Sequence, residues 1–441
     1  SENGDHIAQS RPGTPVLSAP MSGIVRIGFD KIFDTSFAAD LTTVEEGNEF
    51  LSRLEKNENL PQFTSCCPSW VKYAEQFYPE FINNLSSCKS PQQMFGSLAK
   101  KYFAEELGIS RENLVVVSIM PCTAKKFEAA RPEFGENGNQ DVDIVLTTQE
   151  LIKMINQAGI VFSEIPPESM DMPFGFKTGA GVIFGASGGV AEAVLRLANS
   201  GNIKTRQDHE FYEVRGLEGL KEAEFELKGR KVKLAVVSGL ANTKELLEKI
   251  KSGEAQYDLV EVMSCRGGCV GGAGQPFPND VNARERRKNA IYDNDRVQAM
   301  HNASDNPFIQ ETYRKWLKEP NSHEAHKLLH TKFKHRKRLT GEVIDVIENV
   351  SEEKVDVRVC IGTCCYLAGS YDIMQKLIEM AKEKGYENML DFKGSFCFEN
   401  CANGPNVEVN GLVHGGVSID NLEEFFKKAI EPQLKKKEVK A

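Results

Sequence analysis

Between about residue 28 and residue 335, short apolar runs alternate with amphipathic stretches. LVVVSIM (114–120), KLAVVSG (233–239) and DLVEVM (258–263) are β-branched runs of strand length. Helical patterns lie between them. Ser90 followed by Pro91 reads as an N-cap with proline at the first helical position, opening a helix that runs through FGSLAKKYFAEELG (95–108). Thr147 with Glu150 three residues on is a capping-box pattern before LIKMINQAG (151–159). Strands alternating with helices predict α/β layers. A charged stretch at 330–355, with a basic cluster at 332–338, reads as a solvated helix end and linker. A second unit follows: a strand VDVRVC (355–360), a helix YDIMQKLIEMAKEKG (371–385), then FKGSFC (392–397) and VEVNGLVHGG (407–416). The expected organisation is an irregular arm (1–23), a large domain (24–337), a charged linker (338–353), a small domain (354–430) and a frayed basic tail (431–441).

The chain has 441 residues and 40% hydrophobic content, enough for real cores, which excludes a disordered or collagen-like chain. A formal net charge of −9 argues against a nucleic-acid binder with a broad basic surface. No apolar run approaches the roughly 18 residues that a membrane span needs. The first twenty residues lack the basic and apolar regions of a signal peptide, so a soluble, cytoplasmic location is expected.

Cysteine placement changes the picture most. The eleven cysteines fall at 66–67, 88, 122, 265/269, 360/364/365 and 397/401. All but Cys88 sit in tight groups or in Gly/Pro-rich turns, which reads as metal ligation. Cytosolic thiols stay reduced, so a disulfide scaffold is not expected. Met120-Pro121-Cys122 ends one predicted strand, and Met263-Ser264-Cys265 ends another and opens the turn CRGGCVGGAGQP (265–276). Residues at the carboxyl ends of strands converge on a crevice in open α/β sheets. TSCCPSW (64–70) is a Pro-marked turn before a helix. Cys67, Cys122, Cys265 and Cys269 can therefore supply four thiolates to one site, which suits a [4Fe–4S] cluster or a structural zinc. Zinc usually takes two close Cys-x-x-Cys pairs, whereas this set is dispersed.

TSCCPSW, MPCTAKKFEA (120–129) and EVMSCRGGCVGGAGQP (261–276) resemble the three signature segments of [FeFe]-hydrogenases, in the same order. GFDKIFDTSFAADLT (28–42), LSSCKSPQQ (85–93), VRGLEGLKEAE (214–224) and HEAHKLLH (323–330) also match, so the resemblance covers roughly residues 24–335. It implies a group A-like catalytic domain: two α/β lobes around a buried H-cluster. By motif position, Cys67, Cys122, Cys265 and Cys269 would hold the [4Fe–4S] part. Cys269 would bridge to a two-iron subsite carrying CO, cyanide and a dithiolate with a bridgehead amine. Met120 and Met263 match positions lining that pocket. Lys125 matches a lysine that hydrogen-bonds a cyanide. Cys66 matches the thiol that relays protons from the amine, with Glu46, Glu49 and Ser86 next and Arg53 at the surface end. Glu46 and Glu49 are three apart, so on a helix they share a face.

There are departures from the family pattern. No Cys-x-x-Cys-x-x-Cys segment precedes the resemblance, and Ser18-Ala19-Pro20-Met21 stands only eight residues before Gly28, so the helix that usually intervenes is expected to be missing. Ala273 stands where Gly is common, and Cys88, where a small residue is expected, reads as structural. GAGVIFGASGG (179–189) does not fit G-x-G-x-x-G, so a dinucleotide loop is not expected there.

CIGTCCYLAGS (360–370) and SFCFENCANGPNVEVNG (395–411) resemble the thioredoxin-like [2Fe–2S] domain of a respiratory NADH dehydrogenase subunit. Cys360, Cys365, Cys397 and Cys401 would hold that cluster, with Cys364 a spare; zinc is the alternative for these four.

The resemblance implies a ferredoxin-type oxidoreductase that reversibly reduces protons to H2. Its electron partner would be ferredoxin or a flavin/NAD-linked subunit, and maturation enzymes would build the two-iron subsite. The alternative is a non-catalytic iron–sulfur protein or a hydrogen-sensing member of the same family.

Overall fold

In a computed structural model of the chain, the structure describes residues 27–161, 169–200, 210–227, 229–276, 282–336, 354–361, 365, 368–395, 398, 400 and 403–438. The chain divides into two compact units, 1–335 and 336–441. The arm, the Ser18–Met21 motif, the 338–353 linker and cysteines 364, 397 and 401 lie outside the described residues.

The first unit opens with helix α1 (Thr35–Lys56). Asp34 caps it by accepting from the Ser36 N–H, and Asn57 ends it in the left-handed conformation. One face buries Phe37, Leu41, Val44 and Phe50, yet Asp40, Glu45 and Glu46 are buried on the same helix. A helix buried nearly all round while carrying acids is set up to place them in the interior. Strand β1 (Gln62–Phe63) leads through Cys66–Cys67 into α2 (Pro68–Phe77), and α3 (Pro91–Leu98) follows.

Ser90 begins α3, but its hydroxyl donates to Glu128 Oε2 (2.8 Å) rather than capping the helix. The helix expected from Ser90 onward runs without interruption from Pro91 to Glu106, with a wider turn at Ala99–Phe103. Strand β2 (Val117–Met120) is shorter than the apolar run that predicts it, because its partner strand reaches back only to Val117 and Val115 is exposed. Then come α4 (Ala124–Ala129), β3 (Ile144–Thr147) and α5 (Thr148–Gln157), where the capping box of Thr147 and Glu150 is formed.

Past α6 (Gly189–Ala198), the chain runs through β4 (Leu220–Leu227), β5 (Arg230–Ser238), α7 (Leu240–Ser252) and β6 (Leu259–Met263). Later in this unit come the helices α8 (Ala283–Val297) and, after a further helical segment at 307–317, α9 (His323–Leu329). One sheet has the order β1-β6-β5-β4, with β1, β6 and β5 parallel. A two-stranded sheet pairs β2 with β3 in parallel, and Gly135–Glu136 pairs antiparallel with Asn139–Gln140 in a short ribbon. The glycines of 179–189 serve packing: a Cβ on Gly181 would sit 2.1 Å from the Ser36 carbonyl on the neighbouring segment.

The basic stretch expected to be solvated is not wholly so, because Arg336 is buried. The second unit is a sheet of order β8-β7-β9-β10, built from β7 (Val355–Cys360), β8 (Leu390–Ser395), β9 (Val407–Val409) and β10 (Leu412–His414). Helix α10 (Ser370–Glu383) packs Ile373 and Leu377 on Val355, Val357 and Val359. The tail expected to fray is helical over Glu431–Glu438, because Leu434 continues the four-residue spacing of Phe426 and Ile430 into the same core.

Candidate functional site

Three strands, two of them parallel neighbours in one sheet, end where cysteines begin. Phe63 of β1 pairs with Val260 of β6, so Cys66–Cys67 and Cys265 leave adjacent strands at the same sheet edge. The turn after β1 is held by the Thr64 N–H to Val260 O (3.0 Å) and by Trp70 Nε1 donating to Thr64 O (3.1 Å). Cys67 is the N-cap residue of α2, and its Sγ accepts from the Ser264 N–H at 3.5 Å. Met120 and Cys122 leave β2. Met120 and Met263, the last residues of β2 and β6, are both buried. The loop after Cys265 then folds onto the Cys122 segment: the Gly274 N–H donates to Pro121 O (3.1 Å), and a Cβ on Gly274 would meet Cys122 N at 2.5 Å. Only glycine permits that approach.

The four thiols are electrostatic neighbours. Burial pushes Cys122, Cys265 and Cys269 up, and Cys67 adds to each shift. No three of their sulfurs lie within 4.8 Å of one another. A tetrahedral zinc held by four thiolates needs sulfurs about 3.8 Å apart, given zinc–sulfur bonds of about 2.3 Å. Four thiolates spread more widely around a close-approach glycine turn fit an iron–sulfur cluster instead.

Lys125 of α4 is 8% exposed and donates to Cys66 O (3.1 Å) and Glu128 Oε2 (2.9 Å). Burial works against the ammonium, but Glu128 outweighs it and holds Lys125 above its ordinary value. It is a fixed cation beside Cys122 and Cys66. Cys66 itself is pushed well up, first by burial and then by Glu46.

Glu46, Glu49 and Arg53 lie along one face of α1. Glu49 Oε1 accepts from Arg53 Nη2 (2.7 Å) and from Ser87 Oγ (2.9 Å). Glu49 Oε2 accepts from Ser86 Oγ (2.7 Å). Burial raises the Glu49 carboxyl, but Arg53 and these hydrogen bonds hold it below its ordinary value. Glu46 is wholly buried, and neither of its oxygens has a hydrogen-bond partner. Burial, helped by the Glu49 charge, pushes it up to about 8, and the nearby Ser86 and Ser65 offset this only in part. Near neutral pH Glu46 is thus a neutral acid and Glu49 an anion, and environments that push two carboxyls apart mark acid and base roles. Arg53, at 13% side-chain exposure, is the outer end of this row.

Several participants are not legible in the sequence. Ser87 donates to Glu49 from the loop beside Ser86, Glu128 anchors Lys125, and His330 contacts Ser87 Oγ (2.8 Å). Only the HEAHKLLH match points toward His330. In the second unit, Cys360 ends β7 and Cys365 is buried with its Sγ 3.6 Å from Asn406 Nδ2. Cys397 and Cys401 lie outside the described residues.

Residues 9–273 match the C-terminal domain of the iron-only hydrogenase large subunit, 280–336 the iron hydrogenase small subunit, and 309–429 the thioredoxin-like [2Fe–2S] ferredoxin. The small-subunit segment falls inside the large domain expected from the sequence, which did not single it out. The chain is 47% identical over 336 residues to the NADP-reducing hydrogenase subunit HndD of Solidesulfovibrio fructosivorans, covering 74% of this chain and 57% of that protein. It is also 32% identical to a cytosolic Fe–S cluster assembly factor of Danio rerio, covering 71% of this chain and 79% of that one. The chain thus spans little more than half the length of its hydrogenase relative. An apo form of the [FeFe]-hydrogenase HydA1 from Chlamydomonas reinhardtii superposes with a TM-score of 0.66 at 39% identity, over 74% of this chain and 90% of that one. The first unit has an [FeFe]-hydrogenase-like α/β fold, and the chain belongs to the iron-only hydrogenase large-subunit family, with a thioredoxin-like [2Fe–2S] domain at its C-terminal end.

Proposed function

We propose that this chain catalyses the reversible reduction of two protons to H2. Cys67, Cys122, Cys265 and Cys269 would hold the [4Fe–4S] part of an H-cluster, with Met120, Met263 and Lys125 bordering a two-iron subsite. When bound, that group supplies the redox centre at which protons and electrons combine. The chain's own residues supply the proton. Cys66 would pass it to the two-iron subsite, Glu46 holds a proton near neutral pH, and Ser86, Glu49 and Arg53 continue the row outward.

The observation that carries this reading is Glu46. A buried carboxyl whose oxygens lack partners costs stability, which marks it as a functional group, and its position next to a Ser86–Glu49–Arg53 hydrogen-bonded row suits proton transfer. Cys360, Cys365, Cys397 and Cys401 would hold a [2Fe–2S] cluster that passes electrons to ferredoxin or to a flavin/NAD-linked subunit. A relative named as part of an NADP-reducing hydrogenase supports the second partner. Dedicated maturation enzymes would build the two-iron subsite, and the reaction would take place in the cytoplasm.

The second reading is an iron–sulfur carrier, favoured by the similarity to an Fe–S cluster assembly factor. One experiment separates the two. The chain is expressed with competent maturation enzymes, and infrared CO and cyanide stretches are measured with H2 evolution on the same sample. Bands with turnover support the hydrogenase. Iron–sulfur absorbance without bands or turnover supports the carrier.

A further inference from the structure

Behind the Glu49 carboxylate is a second constellation, which shares Glu49 with the proton row and adds Cys88 and His330, which that row does not use. Cys88 and His330 face each other across an isolated antiparallel bridge, which the Thr331 N–H to Ser87 O (2.7 Å) and the Lys89 N–H to Leu329 O (2.8 Å) hold shut. Cys88 is fully buried and His330 is 8% exposed. Cys88 Sγ lies 3.8 Å from Glu49 Oε2 and 3.9 Å from His330 Nδ1. Among the described residues this is the one His/Cys/Asp/Glu trio whose ligand atoms all lie within 4.8 Å of one another.

The imidazole is set up as a ligand. Its Nε2 is 2.7 Å from Glu45 Oε2, and Glu45 also accepts from the Tyr313 hydroxyl and, at 3.1 Å, from the Asn321 N–H. A carboxylate only accepts, so Nε2 carries a ring proton toward Glu45, and Nδ1 is the nitrogen that faces Cys88 and Ser87. A carboxylate behind a histidine that turns its other nitrogen to a metal is the usual second support of a metal-binding imidazole. Ser87 Oγ, 2.8 Å from Nδ1 and 2.9 Å from Glu49 Oε1, occupies the remaining side. In a tetrahedral zinc site with bonds of about 2.3 Å to sulfur and 2.0 Å to nitrogen or oxygen, the sulfur–nitrogen and sulfur–oxygen edges are roughly 3.5 Å. The two sulfur gaps, 3.8 and 3.9 Å, close to that by a few tenths of an ångström.

We propose that Glu49, Cys88 and His330, with the Ser87 hydroxyl, bind one borderline-soft divalent cation of the zinc class. Binding forms metal bonds to Cys88 Sγ, His330 Nδ1 and Glu49 Oε2 and releases the Cys88 proton to solvent, with no change of oxidation state. Glu49 Oε2 is also the oxygen that accepts from Ser86. On the hydrogenase reading, the bound cation therefore interrupts the proton row.

The test uses iron-loaded protein, so that the cluster cysteines are already occupied. Zn2+ is added, excess is removed by desalting, and retained zinc is measured with its X-ray absorption fine structure. One zinc per chain is expected, with a single sulfur near 2.3 Å and three lighter atoms near ~2.0 Å. Cys88→Ala and His330→Gln should each lose it at unchanged iron content. No retained zinc, zinc bound by several sulfurs, or retention indifferent to Cys88→Ala overturns the site. If His330→Gln loses iron, Cys88→Ala decides, since alanine fits the same space. Zn2+ should also slow H2 evolution by the parent at least tenfold and leave Cys88→Ala unaffected. Zinc bound with undiminished turnover overturns the interruption of the row. A chain that evolves no H2 at all overturns the hydrogenase reading, while the spectroscopic test of the site still stands.

Discussion

Replacing Glu46 with glutamine should make the protein more stable and less active, an unusual pairing. The Glu46 carboxyl is fully buried, makes no hydrogen bond and is pushed from 4.5 to about 8. Between those two values the folded chain holds a proton that the unfolded chain has lost, so stability falls as pH rises through this window. At about 1.4 kcal/mol per pH unit, keeping Glu46 lowers stability by roughly 3 kcal/mol at pH 7 and by about 5 kcal/mol above pH 8; these are upper bounds, because the pocket relaxes around a charge. Glutamine has nearly the same shape and no proton to lose. The stability gain of Glu46→Gln should therefore be near zero below pH 4.5, grow with pH, and level off above 8. In a unit of this size about 3 kcal/mol corresponds to a rise of roughly 5–10 °C in melting temperature. Melting temperatures of iron-loaded parent and variant, taken at one heating rate across pH 5–9, measure this. H2 evolution should fall by about 10²-fold or more, the usual contribution of a positioned acid. A variant that melts at or below the parent at every pH would refute the argument, because it would mean that the Glu46 oxygens are partnered in the folded protein.

Ser86→Ala removes the hydroxyl that donates to Glu49 Oε2 at 2.7 Å, and should reduce H2 evolution by about 10²-fold while leaving infrared bands of the bound cofactor in place. Arg196→Ala leaves Glu192 and Asp295 buried without the guanidinium that both accept from, and should destabilise the first unit by about 3–5 kcal/mol in thermal melts, with unchanged H2 evolution per intact cluster. Cys365→Ser should abolish the electron paramagnetic resonance signal of a reduced [2Fe–2S] cluster and slow turnover with a protein donor. It should leave turnover with a small-molecule reductant unchanged.

The strands and their cysteine-bearing ends are readable because β-branched runs followed by turn residues carry their own signal. Three long motifs in register then name the family. Length is less readable than existence. LVVVSIM reads as seven strand residues, but strand length is set by a partner, and β3 offers pairing only from Val117 onward. Ser90 is legible as a helix start but not as a donor to Glu128, because that carboxylate arrives from a helix more than thirty residues away. Charge misleads at the tail: EPQLKKKEVKA looks solvated, yet a single leucine at the right spacing extends the helix into the core. A solitary anchor of this kind is outvoted in any composition-based reading.

The division of labour between Glu46 and Glu49 shows why site chemistry is less legible than site membership. Both are glutamates on one helix, three residues apart. The difference comes from one local source and one distant one. Arg53, one turn further along α1, and the Ser86–Ser87 loop, fixed by the Ser86 N–H to Phe63 O (2.7 Å), converge on Glu49 and keep it charged. Glu46 is fully buried with no cation beside it, Ser86 and Ser65 offset that burial only in part, and it stays protonated. A row with two anions would repel the second proton-poor state at each step, and a row with two neutral acids would have no base to receive a proton. An acid inside and a base outside gives the proton a graded route, and a loop more than thirty residues along the chain sets that gradient.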